Sequence, residues 1–231
     1  MADSLSVLQE KIIAHPYFQK AKDIVEDNAC HHKEKVYDHL LATAKRAKEA
    51  VKGEFITNKK AKEEFEKWME DEKSGMKYKD VAILVALLHD IGKILVYEED
   101  GKTYSINQVL KDGTTLAPGH EYWGSSLALK ILTDIGVFAD SVYLVAMVIK
   151  LHGSLMFKLD GPLKFPKFNE SKSIKEHISD MKTLGQGLEK EILFNIYVDV
   201  ATCEMFGEWV EVIKEMFNEP EFYQPRKYFV K

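Results

Sequence analysis

Six side chains of types that bind metal or carry protons fall where the chain is otherwise apolar. His89 and Asp90 close the run Val81-Ala-Ile-Leu-Val-Ala-Leu-Leu, His152 ends the stretch from Tyr143 to Leu151, and Asp199 interrupts Phe194-Asn-Ile-Tyr-Val-Asp-Val-Ala. An ionised carboxylate in such surroundings is strongly unfavourable unless something positive meets it. Neither aspartate has an arginine within a turn. His39, in Val36-Tyr-Asp-His-Leu-Leu, and His120, directly after Pro118-Gly119, sit on segments that can face the same place. Alone, a histidine ending an apolar helix is more often a satisfied core residue or a helix-terminus cation than a ligand. Together, one cause accounts for all six: shared neutralisation by divalent cations held by imidazole and carboxylate.

Other candidates surround this set. Lys93, three residues past Asp90, is placed to point into the same site and stabilise a phosphate or leaving group; a surface lysine at a helix C-terminus is the plainer alternative. Arg46 lies two helical turns beyond His39 on one stripe and could reach a phosphate near the metal. His31 and His32, just ahead of the helix carrying His39, are candidates for the entrance. Lysines 150, 158, 164, 167, 172 and 175 outnumber Asp160 and Glu170 after His152, with Phe157, Phe165 and Phe168 interleaved. This stretch is a candidate substrate lip, Lys158 included, because lysines attract phosphate and aromatics stack on bases.

The elements that must position these residues read as helix nearly everywhere. Expected helices run from about Leu5 to Ala14, Phe18 to Asn28, Glu34 to Val51, Thr57 to Lys73, Lys79 to Ile91, His120 to Ile135, Ala139 to Leu151 and Leu188 to Phe217. Gly92 stands where a helix C-cap would. Ser173-Ile-Lys-Glu176 is a capping-box pattern that should open another helix. The exception is Ile94 to Ile106, where β-formers flank Asp100-Gly101 and predict a small hairpin. An irregular tail is expected after Pro220. With no repeat and no long linker, one domain over residues 1–231 is the simplest organisation, with N-terminal helices in 1–30 and a tail at 218–231 as extensions.

Composition narrows the function classes. The net charge of −5 does not advertise nucleic-acid binding, although a single-stranded nucleic acid stays open as substrate. Only Arg46 and Arg226 among 32 basic residues are arginine, so no multi-arginine phosphate clamp is available. Cys30 and Cys203 cannot form a disulfide framework or a zinc knuckle alone, and a reducing, cytoplasmic setting fits. No signal-peptide pattern opens the chain, and its longest clean apolar run, Val81 to Leu88, is far short of the ~20 residues of a membrane span.

With His39, His89-Asp90 and Asp199 in this order, and with Leu87-Leu-His-Asp-Ile-Gly-Lys93 as its specific stretch, the chain resembles the HD-domain superfamily of metal-dependent phosphohydrolases. Gly119-His-Glu-Tyr-Trp-Gly124 is similar to the HD region of bacterial tRNA nucleotidyltransferases. The resemblance covers roughly residues 32 to 205 and implies an all-α HD-domain helical bundle. By carry-over, His39, His89, Asp90 and Asp199 hold one metal, and Asp90 bridges to a second held by His120 and His152, as in the binuclear five-histidine, two-aspartate variant. Asp90 and Lys93 are then the catalytic residues, with Arg46, Lys93, His32 and Lys158 facing substrate. The implied reaction is attack of metal-activated hydroxide on the phosphorus of a nucleotide or other small phosphorylated molecule, with two ions among Mn, Fe, Ni, Co, Zn or Mg. The charged helix near 57–73 reads as an insertion. No nucleotidyltransferase head fits the N-terminal segment, and the Gly-Tyr-Pro signature of cyclic-dinucleotide phosphodiesterases is absent. Two alternatives keep the same residues: a mixed-valent di-iron oxygenase of the inositol oxygenase type, and a non-catalytic nucleotide-binding module.

Overall fold

Apolar residues at helical spacing, interrupted by turn-formers, divide the chain into helices joined by short connections, as the computed structural model describes for residues 4–72, 75–153, 172–185 and 187–224. In chain order the helices are α1 (Leu5–Ala14), α2 (Pro16–Lys20), α3 (Val36–Ala50), α4 (Lys59–Glu70), α5 (Tyr78–Leu88), α6 (His120–Asp134), α7 (Ala139–Leu151), α8 (Ile174–Gly185), α9 (Glu189–Val200) and α10 (Gly207–Phe217). Among the described residues strands occur only as antiparallel pairs: β1 (Val25–Glu26) with β2 (Glu34–Lys35), β3 (Val96–Glu99) with β4 (Lys102–Ser105), and β5 (Gln108–Val109) with β6 (Thr115–Leu116). The fold is all-α. No helix among the described residues is long and apolar enough to cross a membrane.

The centre of the molecule is α5, buried along nearly its whole length because Val81, Ile83, Leu84, Val85, Ala86, Leu87 and Leu88 leave it no polar face. α3, α7, α9 and α4 pack around it, and α6 lies along α7. The charged α4 is anchored by one stripe: Ala61, Phe65, Trp68 and Met69 are buried, and Phe65 and Trp68 join Phe194 and Phe217 in an aromatic cluster. Asn58 caps α4 by accepting from the backbone N–H groups of Lys60 and Ala61. Ser173 and Glu176 form the expected capping box ahead of α8. The hairpin β3–β4 turns at Asp100-Gly101, both at positive φ as a primed two-residue turn requires.

Three expectations need correction. The helix foreseen over residues 18–28 ends at Lys20; a 3-10 turn at Ala21–Asp23 follows, and the chain extends at Val25 to pair with β2. The single helix foreseen over 188–217 is two, α9 and α10, because Arg46 takes the Val198 and Asp199 carbonyls that would have continued α9. The segment after Pro220 is not irregular at its start: Pro220–Tyr223 forms a 3-10 turn that buries Phe222 and Tyr223. The two cysteines, too few for a framework, are joined to each other, tying the β1–β2 loop to the end of α9.

Candidate metal centre

α5 carries the chain into the core and releases it at His89 and Asp90, where a 3-10 turn at Ile91–Ile94 takes over. Gly92 lies in that turn with negative φ rather than serving as a left-handed C-cap, and its requirement is space. A Cβ there would come within 2.6 Å of Gly124 N and closer still to the His120 carbonyl oxygen, so the missing side chain lets the start of α6 sit against the Asp90 turn. Gly119, at φ 73°, swings the backbone into α6 so that His120 is its first residue. α3 contributes His39 from its buried face, α7 delivers His152 at its end, and α9 presents Asp199 in its last turn.

Six side chains from five segments meet. His39 Nε2, His89 Nε2 and Asp199 Oδ1 form a triangle with edges of 3.3, 2.9 and 3.2 Å. His120 Nε2 lies 2.9 Å and His152 Nε2 3.9 Å from Asp90 Oδ1. The other Asp90 oxygen, Oδ2, is 3.6 Å from His39 Nε2 and 3.3 Å from His89 Nε2. Asp90 therefore turns one oxygen to each set. Four histidines, not five, enter these two groups.

The Nδ1 atoms of His89, His120 and His152 face the carbonyl oxygens of Ala86, Ala117 and Ile149 at 3.0, 2.7 and 2.6 Å. A carbonyl only accepts, so each Nδ1 carries the proton and a neutral ring presents a bare lone pair at Nε2. Those lone pairs point at carboxylate oxygens, acceptor against acceptor, which requires a cation or extra protons between them. Atoms ~2.1 Å from a first-row cation and 90–109° apart stand ~3.0–3.4 Å from one another. The His39–His89–Asp199 triangle fits that closely, and the Asp90–His120–His152 set is looser at its His152 edge.

Protons can meet the same requirement. Burial would keep His89 neutral, but Asp90 and Asp199 override it and push the ring up to about 10. His39 is also raised, against burial, by Asp199 and Glu34. Burial would raise both aspartates, yet His89 holds each well below the usual carboxylate range, joined by Lys93 and His120 at Asp90 and by His39 at Asp199. His152 is the reverse case: buried beside His120 and His89, it is held down at about 4 and stays neutral, the form in which an imidazole can bind a cation. Asp199 and His120 keep 22% and 17% side-chain exposure, whereas the other four are at 8% or less, so the centre opens between those two.

The remaining candidates divide. Lys93 is buried beside the centre, its Nζ 2.7 Å from both Asp90 Oδ2 and Glu26 Oε1, and both carboxylates hold its ammonium charged despite burial. Arg46 does not extend toward a phosphate: Nε donates to Val198 O at 2.6 Å, and Nη2 donates to Thr43 Oγ1 at 2.7 Å and Asp199 O at 3.2 Å. It fixes the backbone that carries Asp199. His31 hydrogen-bonds Glu34, and His32 is exposed on the same loop. Lys158 and most of the lysine-rich lip lie outside the described residues.

Sequence reasoning passed over Glu26 and Glu34. Glu34 Oε2 stands 3.5 Å from His39 Nδ1, and the hydrogen bond to His39 draws its pKa down to about 2 against burial, with His31 helping. A carboxylate behind a ligating imidazole orients the ring and raises its basicity. Glu34, in β2 directly ahead of α3, lies five residues before His39, the one local signal; Glu26 had none, because its partner Lys93 is remote in sequence.

No family model and no curated protein matches the chain.

Proposed function

We propose that the chain is a metal-dependent phosphohydrolase of the HD type, acting on a small phosphoester, with a nucleotide as the favoured class. The observation carrying this reading is Asp90, which divides its two oxygens between two histidine-rich sets. His39, His89, Asp90 and Asp199 would hold one divalent cation, and Asp90, His120 and His152 a second. Such a pair supplies a water of lowered pKa as nucleophile and neutralises the phosphoryl oxygens.

The chain's own residues do the rest. Two aspartates do not cancel two divalent cations, and Lys93 and Glu26 offset each other, so the site keeps a net positive charge suited to a phosphate. Lys93 Nζ spends two of its three N–H groups on Asp90 and Glu26, leaving one for a phosphoryl or leaving-group oxygen. Burial of His89, Asp90 and His152 keeps water from competing behind the ligands, while the Asp199–His120 side admits substrate. The resemblance of Leu87-Leu-His-Asp-Ile-Gly-Lys93 to the HD signature supports the same chemistry.

The test is hydrolysis of p-nitrophenyl phosphate and of nucleoside monophosphates by protein loaded in turn with Mn, Fe, Co, Ni, Zn or Mg. Turnover that disappears in Asp90→Ala together with metal retention is the expected result. A mixed-valent iron signal perturbed by a small organic substrate, with no phosphatase activity, would favour the oxygenase instead.

A further inference from the structure

β1 and β2 are only two residues each, and their register places Glu26 directly opposite Glu34. Side chains of directly opposed residues share a face of the ribbon, and this face meets the metal centre. Glu34 reaches His39, and Glu26 reaches Lys93, which in turn rests on Asp90. Glu26 is only 3% exposed, and its Oε2 has no hydrogen-bond partner among the described residues. A buried Lys–Glu pair is weak support for stability, because well-packed apolar side chains of similar volume do as well or better. Its place beside the one carboxylate shared by both ligand sets gives it another use.

We propose that Glu26 is a positioning residue of the metal centre: it anchors and neutralises Lys93, so that the lysine neither occupies Asp90 Oδ2 unopposed nor repels a cation bound there. Lys93 stands 2.7 Å from each carboxylate, so Glu26 and an incoming cation pull on opposite sides of the same contact. The unpartnered Oε2 gives Glu26 the capacity to take more of the ammonium as Asp90 turns to a cation. Without Glu26, Lys93 becomes an uncompensated positive charge at the cation site. The proposal rests on the metal-centre reading and is independent of the reaction catalysed.

The test is titration of the metal-free full chain with Co2+, followed by visible absorption, in the wild type, Glu26→Gln, Lys93→Met and the double variant. Glu26→Gln should weaken binding by about tenfold or more, as loss of a group behind the ligands generally does. The double variant, which removes the stranded charge, should return to within about threefold of wild type, the non-additivity expected of coupled neighbours. A merely structural glutamate would not be rescued by a second substitution. Wild-type affinity in Glu26→Gln, or a double variant no better than the single one, overturns the proposal. If Glu26→Gln does not fold, Glu26→Leu, which likewise removes the charge while filling the space, takes its place under the same criteria. A wild type that binds no Co2+ would overturn the metal-centre reading itself, and the proposal with it.

Discussion

Replacing Gly92 by alanine should remove one of two metals and leave the other. The new methyl would stand 2.6 Å from Gly124 N and 2.9 Å from Gly124 Cα, with the His120 carbonyl nearer still. Non-bonded heavy atoms need ~3.5 Å, so the start of α6 must retreat by about 0.9 Å to clear Gly124 N, and by more to clear the His120 carbonyl. All three obstacles are backbone, and no rotamer change relieves them. His120 rides on that backbone, so its 2.9 Å approach to Asp90 Oδ1 should open to about 3.8 Å or more. His39, His89 and Asp199 lie on other elements and should stay together. Overpacking of this kind costs ~1–3 kcal/mol, which leaves a folded protein. Elemental analysis after loading with Mn2+ should therefore fall from two ions per chain to one, and His120→Ala should match it. A Gly92→Ala protein retaining both ions at wild-type affinity would refute the claim that this glycine sets the second ligand group.

Metal binding should tighten with pH, because the metal-free triangle holds protons that a cation must expel. His89 at about 10 and the raised His39 make up to ~two protons per ion, a gain of up to ~100-fold in affinity per pH unit near neutrality, measurable as proton release in weakly buffered solution. The stability of the metal-free fold runs the other way: a folded pKa above the unfolded ~6.5 gives His89 a contribution that is full below that value and lost as pH climbs through about 10. Arg46→Ala should loosen the metal held through Asp199 by about 10–100-fold rather than raise KM alone, as competition with a chelator would show. Reduction by a dithiol, or Cys30→Ser, should lower stability by ~2–5 kcal/mol in denaturant and speed metal loss, because the Cys30–Cys203 bond fastens the β1–β2 loop to the helix bearing Asp199.

Local patterns carried much of the structure. α1 and α7 match their apolar periodicity end to end, the Asp100-Gly101 turn matches its hairpin, and Ser173 and Glu176 match their capping box. The six proposed ligands were legible because ionisable residues in apolar runs are costly, and the structure brings all six together. What stayed hidden depended on partners distant in sequence. α9 stops at Val200 because Arg46, on another helix, occupies its last carbonyls. The stretch 18–28 has a helical composition, yet Glu26 is drawn to Lys93 and Val25 pairs with Lys35. The same remoteness hid the hydrogen bonds of Arg46 to the Val198 and Asp199 carbonyls and the pairing of Cys30 with Cys203.

Anomalous diffraction at the manganese edge from crystals of the Mn2+-loaded protein tests the central claim most directly. Two peaks are expected on either side of the Asp90 carboxylate, one among His39, His89 and Asp199 and the other at His120 and His152. Density free of anomalous signal there, or ions bound only at surface carboxylates, would contradict it.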